Sequence, residues 1–410
     1  MHNFKQLIQN KAGAAAIMVG VAVPSILGTA ALGIDVGNWY LRRAELQSIA
    51  DAVAASAALE AKYGNEYGVS SAHGEAELTG VDTSEITDLT ISNPPVAGAY
   101  TGNAAATEVS ITAPGTIFFA GLLFDDVVNI TARAVATAGV ISEACMVGLE
   151  EIDSKAILSS GNVDLVMSCG VASNSNHDQS IWVNGNVDFD VPFVMTAGGI
   201  RDGGGELDDT PTQENARRLD DPYEDLTPPF FSGCDHNNLH VTSSIDLSPG
   251  VYCGGLQLNG SGTVNLDPGE YIMDAGDFSI AGDVSVYGEG VTIILTSSSS
   301  SYGSLKITGG TDIDLTAPTD GDYAGVAVYQ DPNADQDNSN KITGNADIAL
   351  EGAVYLPVGQ LDIGGSGDYA GECTQVIASS ISMAGSAEIL NNCEGMPIRP
   401  MGPLRAQLVE

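Results

Sequence analysis

Four side chains in "DPNADQDNSN", Asp331, Asn333, Asp335 and Asp337, fall on alternate positions. That is the spacing at which the front half of a calcium loop places its oxygen ligands. Calcium is the cofactor this pattern would take. The sixth position is not glycine, and the twelfth, where a bidentate glutamate belongs, is Ile342; a solvated acidic loop is therefore the competing reading, and no other cofactor is implied. His236 and His240 in "CDHNNLH" have the spacing of two metal ligands on a helix, but no glutamate lies between them and the context is not helical.

Enzymatic chemistry finds little else to use. The chain has no GxSxG, no phosphate-loop lysine and no dinucleotide fingerprint. A groove for acidic polysaccharides would need cations recurring at a fixed offset. Beyond residue 139 the cations are Lys155, Arg201, Arg217, Arg218, Lys306, Lys341, Arg399 and Arg405, and they do not recur. A non-enzymatic protein is expected. With 14 Lys and Arg against 53 Asp and Glu, a net charge of -39, the chain repels phosphate backbones, and nucleic acid is excluded as a partner.

The elements that would carry these residues announce themselves by repetition. "LQLNGSGTVNL", "ILSSGNVDL", "IWVNGNVDF", "FSIAGDVSV", "KITGNADIAL" and "ISMAGSAEIL" share apolar alternation on either side of a turn glycine. The repeats align on Gly161, Gly185, Gly260, Gly282, Gly309, Gly344, Gly365 and Gly385. Between them lie further strands such as "GVTIILT" and "AGVAVYQ". Several strands per ~20-residue period predict an irregular right-handed parallel β-helix, with a β-sandwich as the alternative.

Six cysteines without a CxxC pair point to disulfides in an oxidising compartment. Cys145 and Cys169, Cys234 and Cys253, and Cys373 and Cys393 are each about one coil apart. Residues one coil apart stack at ~4.8 Å, within reach of a disulfide, so sequential pairing is expected. One acidic, proline-bearing stretch, 197–235, interrupts the pattern; it is read as an inserted loop, either a binding excursion or an inert one.

The N-terminus is of another kind. Residues 12–34 carry no charge, enough to cross ~30 Å of hydrocarbon at ~1.5 Å per residue. They are read as a retained membrane anchor, with Trp39 and Tyr40 at the membrane interface. Leucine and alanine at helical spacing continue the rod to Lys62, and a small-residue face (Ala50, Ala54, Ala57, Ala58) would let another element approach closely. Strands are expected near 89–92, 108–112 and 127–137. "TIFFAGLLF" between them is expected to be helical and buried, with an exposed contact patch as the alternative.

"KAGAAAIMVGVAVPSILGTAALGIDVGNWYLRRAELQSIADAVAASAAL" resembles the N-terminal segment of TadG-like proteins of the Flp/Tad pilus-assembly group. The match lies in a basic tip, a small-residue apolar span, an aspartate before an aromatic pair, and the "RAELQSIADA" run. The class-wide processing pattern, a glycine with glutamate at the fifth mature position, is not matched: counted from Gly13, that position is Met18. The resemblance implies an α/β pilin-like module, a role in pilus biogenesis and pilin-like partners, and a surface or glycan ligand on the same anchor is the alternative. The resulting map is a cytoplasmic tip and anchor (1–34), an extended helix with a pilin-like module (35–139), a β-helix-like ectodomain (140–396) and a C-terminal tail (397–410). The expected location is a single pass through a bacterial inner membrane, with the N-terminus cytoplasmic and the bulk periplasmic or extracellular.

Overall fold

The computed structural model describes residues 11–62, 83–122, 127–204, 207, 210–335, 338–344, 347–365, 368–369, 373–385, 388–391 and 397–410. They fall into two units, one of residues 1–139 with 404–410 and one of residues 140–403.

The first unit is built on one helix, α1 (Lys11–Lys62), which runs through Pro24 without a break. Its first half exposes Met18, Val21, Ile26, Leu27 and Leu32. It is the one helix among the described residues that is long and apolar enough to cross a membrane. The second half buries Leu46, Ile49, Ala50, Val53, Ala54 and Ala58. These pack on Val109, Ile111, Ala113, Ala132, Ala134 and Ala136 of a four-stranded sheet. The alanine face is thus covered by the unit's own sheet, and alanines on both sides let helix and sheet lie close.

The sheet runs β1 (Asp88–Ser92), β2 (Ala106–Pro114), β3 (Asn129–Val140), and then a strand from the far end of the chain, Leu404–Leu408. Pairing of the first three is antiparallel. Residues 397–410 are therefore not a loose tail: they end in a strand of this sheet, and Val135 exchanges backbone hydrogen bonds with Val409 and Glu410. "TIFFAGLLF" also differs from expectation. Among its described residues only Ala120–Leu122 form a short 3-10 turn, and Phe118 and Phe119 are 58% and 42% exposed. The amides of residues 118–120 are taken by a carboxylate on α1, around which the backbone bends, leaving the rings of Phe118 and Phe119 outside.

The second unit holds a sheet of 21 strands among the described residues. Its paired strands run parallel, each beside one about a repeat further along the chain. The eight repeat glycines stand in one row, Gly260 beside Gly282, then Gly309, Gly344, Gly365, Gly385, Gly161 and Gly185. All eight have φ between +92° and +140°. A Cβ at Gly365 would meet the carbonyl oxygen of Gly344 at 2.0 Å. Both the backbone hand and the neighbour's approach therefore demand glycine. On either side of this corner the strands alternate; in Ile157–Met167, Val163, Leu165 and Met167 are buried, while Asn162 and Asp164 face out.

The order of levels is not the order of the chain. One end is His236–Val241, and pairing proceeds through Gly250–Leu266 and onward to Thr374–Gly385. There Ile381 pairs with Ile157, so the earliest strands of the unit continue the stack beyond the latest ones. It ends through Ile181–Asp190 at Ile200–Asp202.

Since Ile200–Asp202 and His236–Val241 lie at opposite ends, the segment between them must return along the side of the sheet. It does so as a strap. Leu219 and Tyr223 are buried on the outer face of strands such as Val326–Gln330, together with Tyr323, Tyr329, Tyr355, Ile294 and Ile377. Those strands are covered on both faces, which is why they read as unbroken apolar runs.

Candidate functional site

The first unit is organised around the point where the apolar half of α1 ends. Asp35, the first charged residue after the span, is fully buried. Its carboxylate accepts the amides of Phe118 at 2.8 Å, Phe119 at 2.9 Å and Ala120. One turn on, the Trp39 indole donates to the Thr116 carbonyl at 3.0 Å, and its ring lies against Gly115. The aromatic pair is thus divided between two tasks. Trp39 packs on the sheet, whereas Tyr40 is 73% exposed beside Val36 and Arg43.

The other end of the sheet is locked by charge. Arg133 on β3 pairs through Nε with Glu108 on β2 at 2.6 Å and through Nη1 with Glu410 at 2.6 Å. Its remaining nitrogen donates to the Ala97 carbonyl. Glu108 also accepts the amides of Val96 and Ala97, and Glu410 that of Ala99. Burial pushes the Glu108 carboxyl up, but Arg133 and the two amides outweigh it and hold it below the usual carboxylate range. The Ala99 amide, then Arg133, hold Glu410 low as well. The Glu410 side chain thereby ties the 95–103 loop to the sheet.

In the second unit the strap is gripped level by level. Arg218 donates to the Asn174 carbonyl and pairs with Glu151 at 2.6 Å. The Tyr355 hydroxyl donates to Asp221, that of Tyr223 to Gln375, that of Tyr329 to the Leu226 carbonyl and that of Tyr323 to the Thr227 carbonyl. Burial pushes the Tyr223 phenol up to about 12, and that of Tyr355 higher still. These hydroxyls are held as neutral donors across the contact between strap and sheet, Tyr223 from the strap and Tyr355 toward it.

Cys145 and Cys169 form a disulfide, as do Cys234 and Cys253, with Cα separations of 5.6 and 5.7 Å. Each ties one level to the next, and the second fastens the end of the strap to the terminal strands. Cys373 is disulfide-bonded, and Cys393 lies outside the described residues.

Of the calcium candidates, Asp337 lies outside the described residues. Asp331 is buried; one oxygen accepts from Thr296 Oγ1 and the other from the Asn333 amide and side chain. Asp331 and Asn333 thus close a turn on each other. No group of three or more His, Cys, Asp or Glu side chains suited to a metal occurs among the described residues. His236 stacks on Tyr252 and His240 contacts Asn259, so the two histidines point to different partners.

A polar cleft of about 660 Å³ opens where the earliest and latest strands of the sheet meet. Glu150, Asp153, Lys155, Gln360, Ser379 and Ser382 line it. Nothing in the sequence pattern signals this cleft, because its walls come from segments about two hundred residues apart that only the stacking order joins.

No curated protein and no solved structure matches the chain. Residues 13–60 match the family model described as Flp pilus-assembly TadE/G-like. The matched segment covers the exposed apolar span, the buried Asp35, Trp39 and the alanine-faced rod that packs on the four-stranded sheet. Over residues 13–60 the chain is similar to the TadE/G-like Flp pilus-assembly family.

Proposed function

We propose that this protein is a non-enzymatic, membrane-anchored component of a Tad/Flp-type pilus system, a minor pilin-like or assembly subunit that presents a right-handed parallel β-helix. The observation that carries the reading is the division of α1. Within the family-matched residues 13–60, one continuous helix is bare and apolar up to Ile34 and then becomes the core of an α/β module. A helix that both anchors a module and forms its core suits packing among similar subunits.

The winding is supported by parallel pairing at repeat-length separations, and its hand by the right-handed preference of parallel crossovers. The N-terminus lies in the cytoplasm and the disulfide-bearing unit on the oxidising side of the inner membrane. The non-enzymatic reading is supported by the lack of a cation at a fixed offset in the repeat; five of the second unit's cations are in structural contacts, Lys306 with Asp277, Arg218 with Glu151, Arg399 with Asp225, and Lys155 and Arg201 over the Trp182 ring.

Crosslinking in native membranes followed by purification of the full chain tests the assembly role. Recovery of small pilin-like subunits is the expected outcome, and recovery of the chain alone would remove it. A surface adhesin or glycan-binding module on the same anchor is the second reading, favoured by the polar cleft. Binding of the same preparation to glycans, without pilin-like partners, would support that reading instead.

A further inference from the structure

The loop 116–122 combines two features that a water-facing segment has no use for together. Its backbone is fixed to α1 at Asp35 and Trp39, immediately after the apolar span. Its side chains are nevertheless turned out: Phe118 is 58% exposed, Phe119 42% and Val127, beyond the turn, 67%. The sequence has no charge between Glu108 and Asp125. On the helix, Val36 and Tyr40 are exposed as well, 46% and 73%.

Position along α1 says what covers these residues. If residues 12–34 cross the hydrocarbon, a rise of ~1.5 Å per residue puts Asp35 within one turn of the bilayer boundary. Anything pinned to Asp35 is pinned at that depth. We propose that the 116–122 loop is a membrane-interface contact, with the rings of Phe118 and Phe119 seated among the headgroups and upper acyl chains of the bilayer that α1 crosses. Lipid is favoured over a second protein because the patch is continuous with the apolar span, whose neighbour is lipid already. An uncharged aromatic wedge of this kind binds at the boundary by its apolar area. The module is then held at two points, the helix and the loop, and cannot swivel about the helix axis.

The inference rests on the anchor reading, and the test separates the two. The full-length chain is placed in phospholipid vesicles, with a tryptophan added either in the span (Leu27→Trp) or in the loop (Phe118→Trp). Quenching of the added emission by spin-labelled lipids is then measured against the unaltered chain. Both sites are exposed, so neither change disturbs a core. Leu27→Trp should be quenched most by labels deep in the acyl chain. Phe118→Trp should lose about half of its added emission to labels near the headgroup and less to deep ones, as expected at the interface. If Leu27→Trp is quenched and Phe118→Trp emits as hydrated indole, untouched by either label, the loop contact is overturned and the anchor stands. If neither is quenched, both are overturned.

Discussion

Arg133 holds three partners that the chain brings from three places: Glu108 on the neighbouring strand, the Ala97 carbonyl in a loop, and Glu410 at the C-terminus. Both carboxyls sit below their ordinary pKa in the folded protein. Their contribution to stability is therefore complete above the ordinary carboxylate range and is lost as pH falls through their lowered folded values. Thermal unfolding of the first unit, followed as a function of pH, should show this loss on acidification. In Arg133→Met the acid-dependent slope should flatten, with stability at neutral pH lower by about 2 kcal/mol. The glycine row makes a second prediction at this scale. Gly365→Ala imposes both a strained φ and an overlap with Gly344, and should destabilise the second unit by about 3 kcal/mol in chemical unfolding. The two features differ in how visible they are in sequence. A turn glycine repeated among alternating apolar residues is a local instruction, and all eight can be aligned by eye. The Arg133 clamp joins residues 25 and 277 positions apart, and no local pattern pairs them.

At the scale of elements, the strap matters most. Tyr223 is fully buried against the sheet and its hydroxyl bridges Gln375 and the Arg399 amide. Tyr223→Ala should cost about 4 kcal/mol. Tyr329→Phe, which removes only the bond to Leu226, should cost about 1 kcal/mol. Protection of the 214–231 amides against hydrogen exchange, with and without these changes, would check both and would show whether the strap detaches before the sheet unfolds. The strap is hard to see in sequence because Asp220, Glu224 and Asp225, the residues that make it look solvated, do face water. Its apolar contacts are few and irregularly spaced. The complementary signal was present elsewhere: "GVTIILT" and "AGVAVYQ" lack alternation, and a strand apolar on both faces requires a cover. Similarly, "TIFFAGLLF" has the composition of a core helix. What keeps the rings of Phe118 and Phe119 outside is a hydrogen-bonding demand set by Asp35, some eighty residues earlier.

Seen as a whole molecule, the chain is two units of which one is inserted into the sequence of the other: residues 140–403 interrupt the unit made by residues 1–139 and 404–410. The family-matched apolar helix and the repeat were both legible, since each is written in residues close together. The closure of each unit was not, because it depends on pairing between strands more than two hundred residues apart. This has a consequence for how the protein is made. Strands 144–148 and 157–167 leave the ribosome early, yet one of their edges has no partner until residues 374–391 arrive, and the small sheet waits for its fourth strand until 404–408. Non-local pairing of this kind is slow, and an unpaired edge invites aggregation while it lasts. The second unit waits for residues 374–391 and the first for residues 404–408. A chain truncated before residues 404–408 lacks the fourth strand of its small sheet, so the native state of the first unit waits on residues made about 260 positions after its third strand.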